Sequence, residues 1–296
     1  MKTTIKTLLG AGLSLLVTFG STQSAAAQTA QEPPILFVAP VKNVQQIFSM
    51  NADGTSLKQL TKGKANAYYP ARSPDDRYIA FVRSGMLTVM EAIGEPRARI
   101  FAVAPSGSGG DWSPDGLNIV FSGKSVLDGL WRVPVNPDTR EVGTPVLLRA
   151  GECYRPSCSP DGTKIAFACG PVVFVLDLVT GEEISFGCWS SNCPVWSPKG
   201  DKIAFAGVVC YTTTAEDGTT TTECYYEICT VDPDLTNVTP VTSLKSFSRF
   251  PTWSPDGTRL VFQSNVSGID SLYMTEIGSD IVSLFYAGAI LPNWTP

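Results

Sequence analysis

The chain has 296 residues, 43% of them hydrophobic, with 26 glycines, 22 prolines, no histidine and a formal net charge of −5. An acidic surface repels phosphate backbones and no dense Lys/Arg run offsets it, which argues against nucleic acid and against polybasic attachment to a membrane surface. Without histidine the commonest general base and the commonest metal ligand are both missing.

The N-terminus reads as an export leader. Lys2 and Lys6 form a short positive region, Leu8 to Phe19 are mostly apolar, and Ser24-Ala25-Ala26-Ala27-Gln28 offers a small-residue cleavage site. Cleavage is expected after Ala27, so residues 1–27 are a signal peptide, 28–34 a short N-terminal segment and 35–296 the folded domain. The apolar stretch is too short for a comfortable membrane span, and no later run reaches about 18 apolar residues. No cysteine lies near the cleavage site. A periplasmic or secreted protein with no stable membrane anchor is expected.

One motif then recurs, approximately P-x-W-S-P-D-G-x-x-I-A-F. Its copies are Pro70-Ala71-Arg72-Ser73-Pro74-Asp75-Asp76 with Ile79-Ala80-Phe81, then Asp111-Trp112-Ser113-Pro114-Asp115-Gly116 with Ile119-Val120-Phe121. Pro156-Ser157-Cys158-Ser159-Pro160-Asp161-Gly162 follows, then Pro194-Val195-Trp196-Ser197-Pro198-Lys199-Gly200, then Pro251-Thr252-Trp253-Ser254-Pro255-Asp256-Gly257. The motif serines are 40, 46, 38 and 57 residues apart. In Ser-Pro-Asp-Gly, proline presets φ and glycine accepts the closing left-handed geometry, so each copy is a tight turn between two short apolar strands. Two more strand-like runs follow each copy, such as Gln46 to Met50 and Leu57 to Leu60. Four strands per period of about 40 residues is the pattern of a propeller blade.

The chain ends complete the count. Pro292-Asn293-Trp294-Thr295-Pro296 is a sixth copy stopped at the turn, and Ile35-Leu36-Phe37 is the strand that should follow it. The expected fold is all-β: a six-bladed β-propeller of four-stranded blades, one of them closed by both ends of the chain. Such closure removes exposed sheet edges at the seam.

This unit resembles the WD40-like (PD40) repeat of the TolB propeller over about 260 residues. The resemblance implies a periplasmic, protein-binding propeller. TolB also carries an N-terminal α/β domain, whereas only a few residues separate Ala27 from the first strand here. The same repeat occurs in propellers attached to peptidases and in sugar-acting enzymes, so fold alone does not fix function.

Chemistry is sparse in the sequence. No G-x-S-x-G elbow occurs, and Ser106-Gly107-Ser108-Gly109-Gly110 lacks the Lys-Ser/Thr of a phosphate loop. Asp75, Asp115, Asp161 and Asp256 recur at one position, which points to turn chemistry. Asp232-Pro233-Asp234-Leu235-Thr236-Asn237 opens like a calcium loop but lacks the glycine and distant glutamate that would complete it. No catalytic residue, cofactor or metal is expected. Trp112, Trp196, Trp253 and Trp294 should pack between blades, with Arg72 and Cys158 replacing tryptophan in two of them.

Length varies mainly between the second and third strands, at 123–128, 210–224 and 264–270. That face also receives Tyr68, Tyr69, Tyr154, Arg155, Asn192, Arg249 and Phe250, of types enriched at interface hot spots. The expected partner is an envelope or extracellular protein or peptide; the alternative is an extracellular carbohydrate. Eight cysteines between Cys153 and Cys229 fit an oxidising compartment. Strand register sets Cys210 opposite Cys224, on either side of a Thr-rich excursion, and Cys169 opposite Cys153. Cys188 and Cys193 should stand about three strand spacings apart, roughly 14 Å, too far for a bridge.

Overall fold

The computed structural model describes residues 32–95, 98–106, 108–123, 128–187 and 193–294. Residues 1–27, Cys188 and Asn192 lie outside these, so the expectations that rest on them are not addressed by the structure.

Each Ser-Pro-Asp-Gly segment folds through the same hydrogen bonds. The Ser73 hydroxyl donates to Asp75 Oδ1 (2.6 Å) and accepts from the Tyr78 amide (2.9 Å), while Asp75 also accepts from the Arg77 amide. Ser159/Asp161 and Ser254/Asp256 repeat this set. Where Lys199 replaces the aspartate, Ser197 turns to Asp201 instead. The fourth residue is left-handed in every one: Asp76 at φ 60°, Gly116 at 70°, Gly162 at 73°, Gly200 at 72° and Gly257 at 68°. The recurrent aspartates are thus occupied by their turns.

These turns join six antiparallel sheets. Blade I takes its inner strand, Ile290–Asn293, from the C-terminus, and continues with Ile35–Val41, Val44–Met50 and Lys58–Gln59. Blade II is Ala67–Arg72, Tyr78–Arg83, Met86–Glu91 and Ile100–Pro105. Blade III is Gly110–Trp112, Asn118–Ser122 and Gly129–Asn136, with its outer position divided between Glu141–Val142 and Val146–Ala150. Blade IV is Tyr154–Cys158, Lys164–Cys169, Val172–Asp177 and Glu183–Gly187. Blade V is Val195–Trp196, Ile203–Thr214, Thr220–Val231 and Thr239–Pro240. Blade VI is Ser248–Trp253, Arg259–Ser264, Ser271–Glu276 and Val282–Ala287. The six-bladed architecture and the blade built from both ends are as the repeats require.

The second strands are buried on both faces because each blade is covered by a neighbour on either side. Phe37, Phe81, Phe121, Phe167, Phe205 and Phe262 are all fully buried at one equivalent position. This explains the continuous Ile-Ala-Phe runs, where a half-exposed strand would alternate.

A belt of hydrogen bonds ties the inner strands at the motif's tryptophan position. Four interfaces use a side chain of one blade to accept the next blade's backbone amide. The Asn293 amide oxygen takes Arg72 N–H, Asp111 takes Cys158 N–H, Ser157 takes Trp196 N–H and Thr252 takes Trp294 N–H. At the other two, where Ala71 and Val195 carry no acceptor, the following indole donates to the backbone carbonyl: Trp112 Nε1 to Ala71 (3.2 Å) and Trp253 Nε1 to Val195 (3.1 Å). Arg72, in tryptophan's place, is buried and donates to the Pro34 carbonyl at 2.8 Å, with Asp76 at 3.5 Å.

The Thr-rich segment between Cys210 and Cys224 is not a loop excursion. Its two runs of threonine extend the second and third strands of blade V to twelve residues each, paired throughout from Ile203↔Val231 to Thr214↔Thr220. β-branched side chains favour this extended ladder, and the chain reverses only at the Asp217-Gly218 turn, where the Gly218 amide reaches the Ala215 carbonyl. Cys210 and Cys224 are direct partners in the ladder and are joined by a disulfide, as are Cys153 and Cys169.

The seam can be tested by deleting residues 291–296. Leu291 and the fully buried Trp294 would be lost. At roughly 3–5 kcal/mol for each large buried side chain, the thermal midpoint should fall by about 10 °C or more, or the protein should aggregate. An unchanged midpoint would mean that the C-terminal strand does not close the ring.

Candidate binding channel

In four blades the inner strand carries one residue more than its partner strand where it enters the blade. The register slips between Tyr68 and Ala71, Tyr154 and Ser157, and Arg249 and Thr252, and again between the closing strand and Ile35–Val41. The residue at this position is left-handed in all six blades: Leu291 (φ 52°), Tyr69 (56°), Gly109 (83°), Arg155 (60°), Cys193 (55°) and Phe250 (55°). A proline follows in five of them. For a residue with a Cβ this region costs roughly 1–2 kcal/mol, so five such residues in equivalent places mark a structural requirement. The bulge turns the side chain out of the alternating pattern of the strand. All of them except Gly109 line one central cavity of about 350 Å³.

The residues at this position differ from blade to blade in a pattern that lets Arg155 cross the channel. Its neighbours on blades III and V are the small Gly109 and Cys193. One blade further on either side stand Tyr69 and Phe250, whose ring centroids lie 3.8 and 4.7 Å from the guanidinium carbon. Gly109 is needed here for space as well as conformation, since a Cβ would fall 2.6 Å from Tyr69 Cβ.

Of the residues singled out from sequence, Tyr69, Arg155 and Phe250 converge in this channel. Arg249 pairs with Asp270 at 3.3 Å, and its guanidinium also lies over the rings of Phe247 and Phe250. Tyr154 accepts a hydrogen bond from the Gly170 amide in the hairpin between second and third strands of its blade. These contacts place Tyr154 and Arg249 on the rim formed by those hairpins. Tyr68 does not line the cavity; it is half-buried against the core between blades I and II, its ring 5.9 Å from that of Tyr69. All six belong to the first residues of inner strands.

Sequence reading passed over Gly109, Cys193, Leu291 and Asp111. The signal was there for the first three: each occupies the place before the motif proline, or its glycine substitute. The Cys193 thiol is buried, and burial pushes it up to about 11 despite Arg155 and Arg249 nearby. Asp111 faces the channel and is otherwise enclosed by protein. Loss of water raises its carboxyl to about 6, against the pull of hydrogen bonds from the Cys158 (2.8 Å) and Trp112 (3.0 Å) amides.

A TolB homologue from Chlorobium luteolum is 35% identical over 162 residues, a match that covers 50% of this chain and 35% of that protein. The solved structure of a putative TolB from Agrobacterium tumefaciens superposes with a TM-score of 0.66 at 20% identity, covering 86% of this chain and 88% of its own. TolB from Acinetobacter baumannii gives the same TM-score at 18% identity, covering 89% and 67%. The propeller is TolB-like. No family model matches the chain, and the chain spans about a third of its curated relative's length.

Within this TolB-like propeller, Asp111 gives a titration of known sign. Its folded pKa lies above the ordinary carboxyl value, so between about pH 4 and 6 the folded state binds more protons than the unfolded one. Its contribution to stability is therefore lost as pH rises through that window. Carboxyl NMR should find the Asp111 midpoint near pH 6. Over the same window wild type should lose stability relative to Asp111→Asn. A midpoint below 4 would contradict a desolvated carboxylate at this position.

Proposed function

We propose that the protein is exported, loses residues 1–27, and acts in the periplasm or outside the cell as a non-enzymatic scaffold that binds a protein or peptide. The observation that carries this reading is the convergence of Tyr69, Arg155 and Phe250 in one channel, with Arg249 on its rim. Arginine and aromatic side chains supply a disproportionate share of binding energy at interfaces.

Three further observations support the reading. The recurrent aspartates are engaged in turn hydrogen bonds, which leaves them poorly suited to acid–base work. Two disulfides fit an oxidising compartment. Likeness to TolB proteins favours a protein partner in the cell envelope.

The test is recovery of the native protein followed by partner capture. The exported form should begin at or near Gln28. Immobilised, it should retain a partner from envelope extract that mass spectrometry identifies. The double variant Arg155→Ala/Arg249→Ala should retain that partner at least tenfold more weakly, with a thermal midpoint within a few degrees of wild type. Equal retention by the folded variant would remove the channel and its rim as the binding surface.

A further inference from the structure

Arg155 stands in the channel with its hydrogen-bond donors unused. Every Asp and Glu side chain of the sequence belongs to the described residues, yet none of the ten ion pairs involves Arg155. Among the described residues it makes no hydrogen bond either. Among the described residues its ring partners are Tyr69 and Phe250. Ring contacts of this kind hold the cation in place but leave its five N–H donors for another acceptor. Arg249, whose guanidinium also lies over the Phe250 ring, already has Asp270.

We propose that the central channel is a carboxylate-binding site in which the guanidinium of Arg155 receives the anion. This rests on the reading of the channel as the binding site and names the chemistry it takes. A planar guanidinium fixed between rings matches a planar carboxylate through two parallel hydrogen bonds. The wall around it favours a monoanion over a phosphate. Phosphate sites gather backbone N–H groups, whereas five of the six left-handed residues here are followed by proline, which has none. Among the described residues no second cation lines the cavity. The carboxylate of Asp111, in the same cavity, is spent on the amides of Trp112 and Cys158 and so does not neutralise Arg155. Tyr69, Phe250 and Leu291 would contact the apolar part of the same ligand.

The carboxylate could be free in solution or carried on a peptide, and titration calorimetry on the mature protein separates the two. Succinate is the free probe; a blocked glycine peptide with one glutamate, against its glutamine counterpart, is the peptide probe. Saturable binding of either carboxylate, with the glutamine peptide at least tenfold weaker, is the expected result. Succinate binding identifies a free acid as sufficient, and binding of the glutamate peptide alone identifies a peptide-borne group. Arg155→Gln should weaken binding at least tenfold, and Arg155→Lys should fall between. If Arg155→Gln does not fold, the guanidinium NMR signals of Arg155 in wild type should shift as the probe is added. Absence of binding by both carboxylates, equal binding by a folded Arg155→Gln, or unmoved Arg155 signals would overturn the proposal. Partner capture without carboxylate binding would sink this inference and leave the scaffold reading standing; the reverse result would do the opposite.

Discussion

The structure depends on a single backbone choice made six times: a left-handed residue at the entry of each inner strand. In four blades it comes with one extra residue opposite the second strand. The motif tryptophan or its replacement then packs against the preceding blade, while the left-handed side chain, except at Gly109, lines the channel. An inner strand in continuous register would lose that arrangement, because a one-residue slip reverses the face of every later side chain. Packing between blades and composition of the channel are thus set by the same local conformation. Its strain, roughly 1–2 kcal/mol at each non-glycine site, is offset by the burial that follows, including the six phenylalanines at one level of the core.

The belt of inter-blade hydrogen bonds shows how such a ring tolerates unequal repeats. Six interfaces need one polar link each, and either of two solutions serves: a side-chain acceptor for a backbone amide, or an indole donor to a carbonyl. Ala71 and Val195, which lack the acceptor, are the two residues whose carbonyls receive an indole. Even Arg72, an outlier by composition, donates where the tryptophan of blade I also finds a carbonyl, at neighbouring Pro34 and Pro33. A buried amide without such a partner would cost about 1–3 kcal/mol.

Much of this was legible in the chain. The turn motif, its period and its division between the two ends determine blade number and closure, because each is a local sequence signal repeated at a fixed spacing. Cys210 opposite Cys224 and Cys153 opposite Cys169 also follow from counting outward from turns. The Thr-rich segment 211–223 misled for a physical reason: a polar, exposed ladder lacks the apolar alternation that identifies a strand. The channel was legible only in part. Tyr69, Arg155 and Phe250 stood out by residue type, but adjacency along the chain grouped them with Tyr68, which does not line the cavity. What separates Tyr68 from Tyr69 is the bulge, a three-dimensional feature that strand periodicity conceals. The convergence of Arg155 with rings from blades II and VI is a contact across the ring, and no local pattern encodes it.

The left-handed entries of blades II, IV and VI bring the Arg155 guanidinium against the rings of Tyr69 and Phe250. NMR of that side chain tests this most directly. Ring currents from two aromatic faces at 3.8 and 4.7 Å should move the Arg155 δ-proton and Nε signals well away from their free-chain positions, and rotation about the guanidinium should be slowed. Signals at free-chain positions with fast rotation would contradict the account.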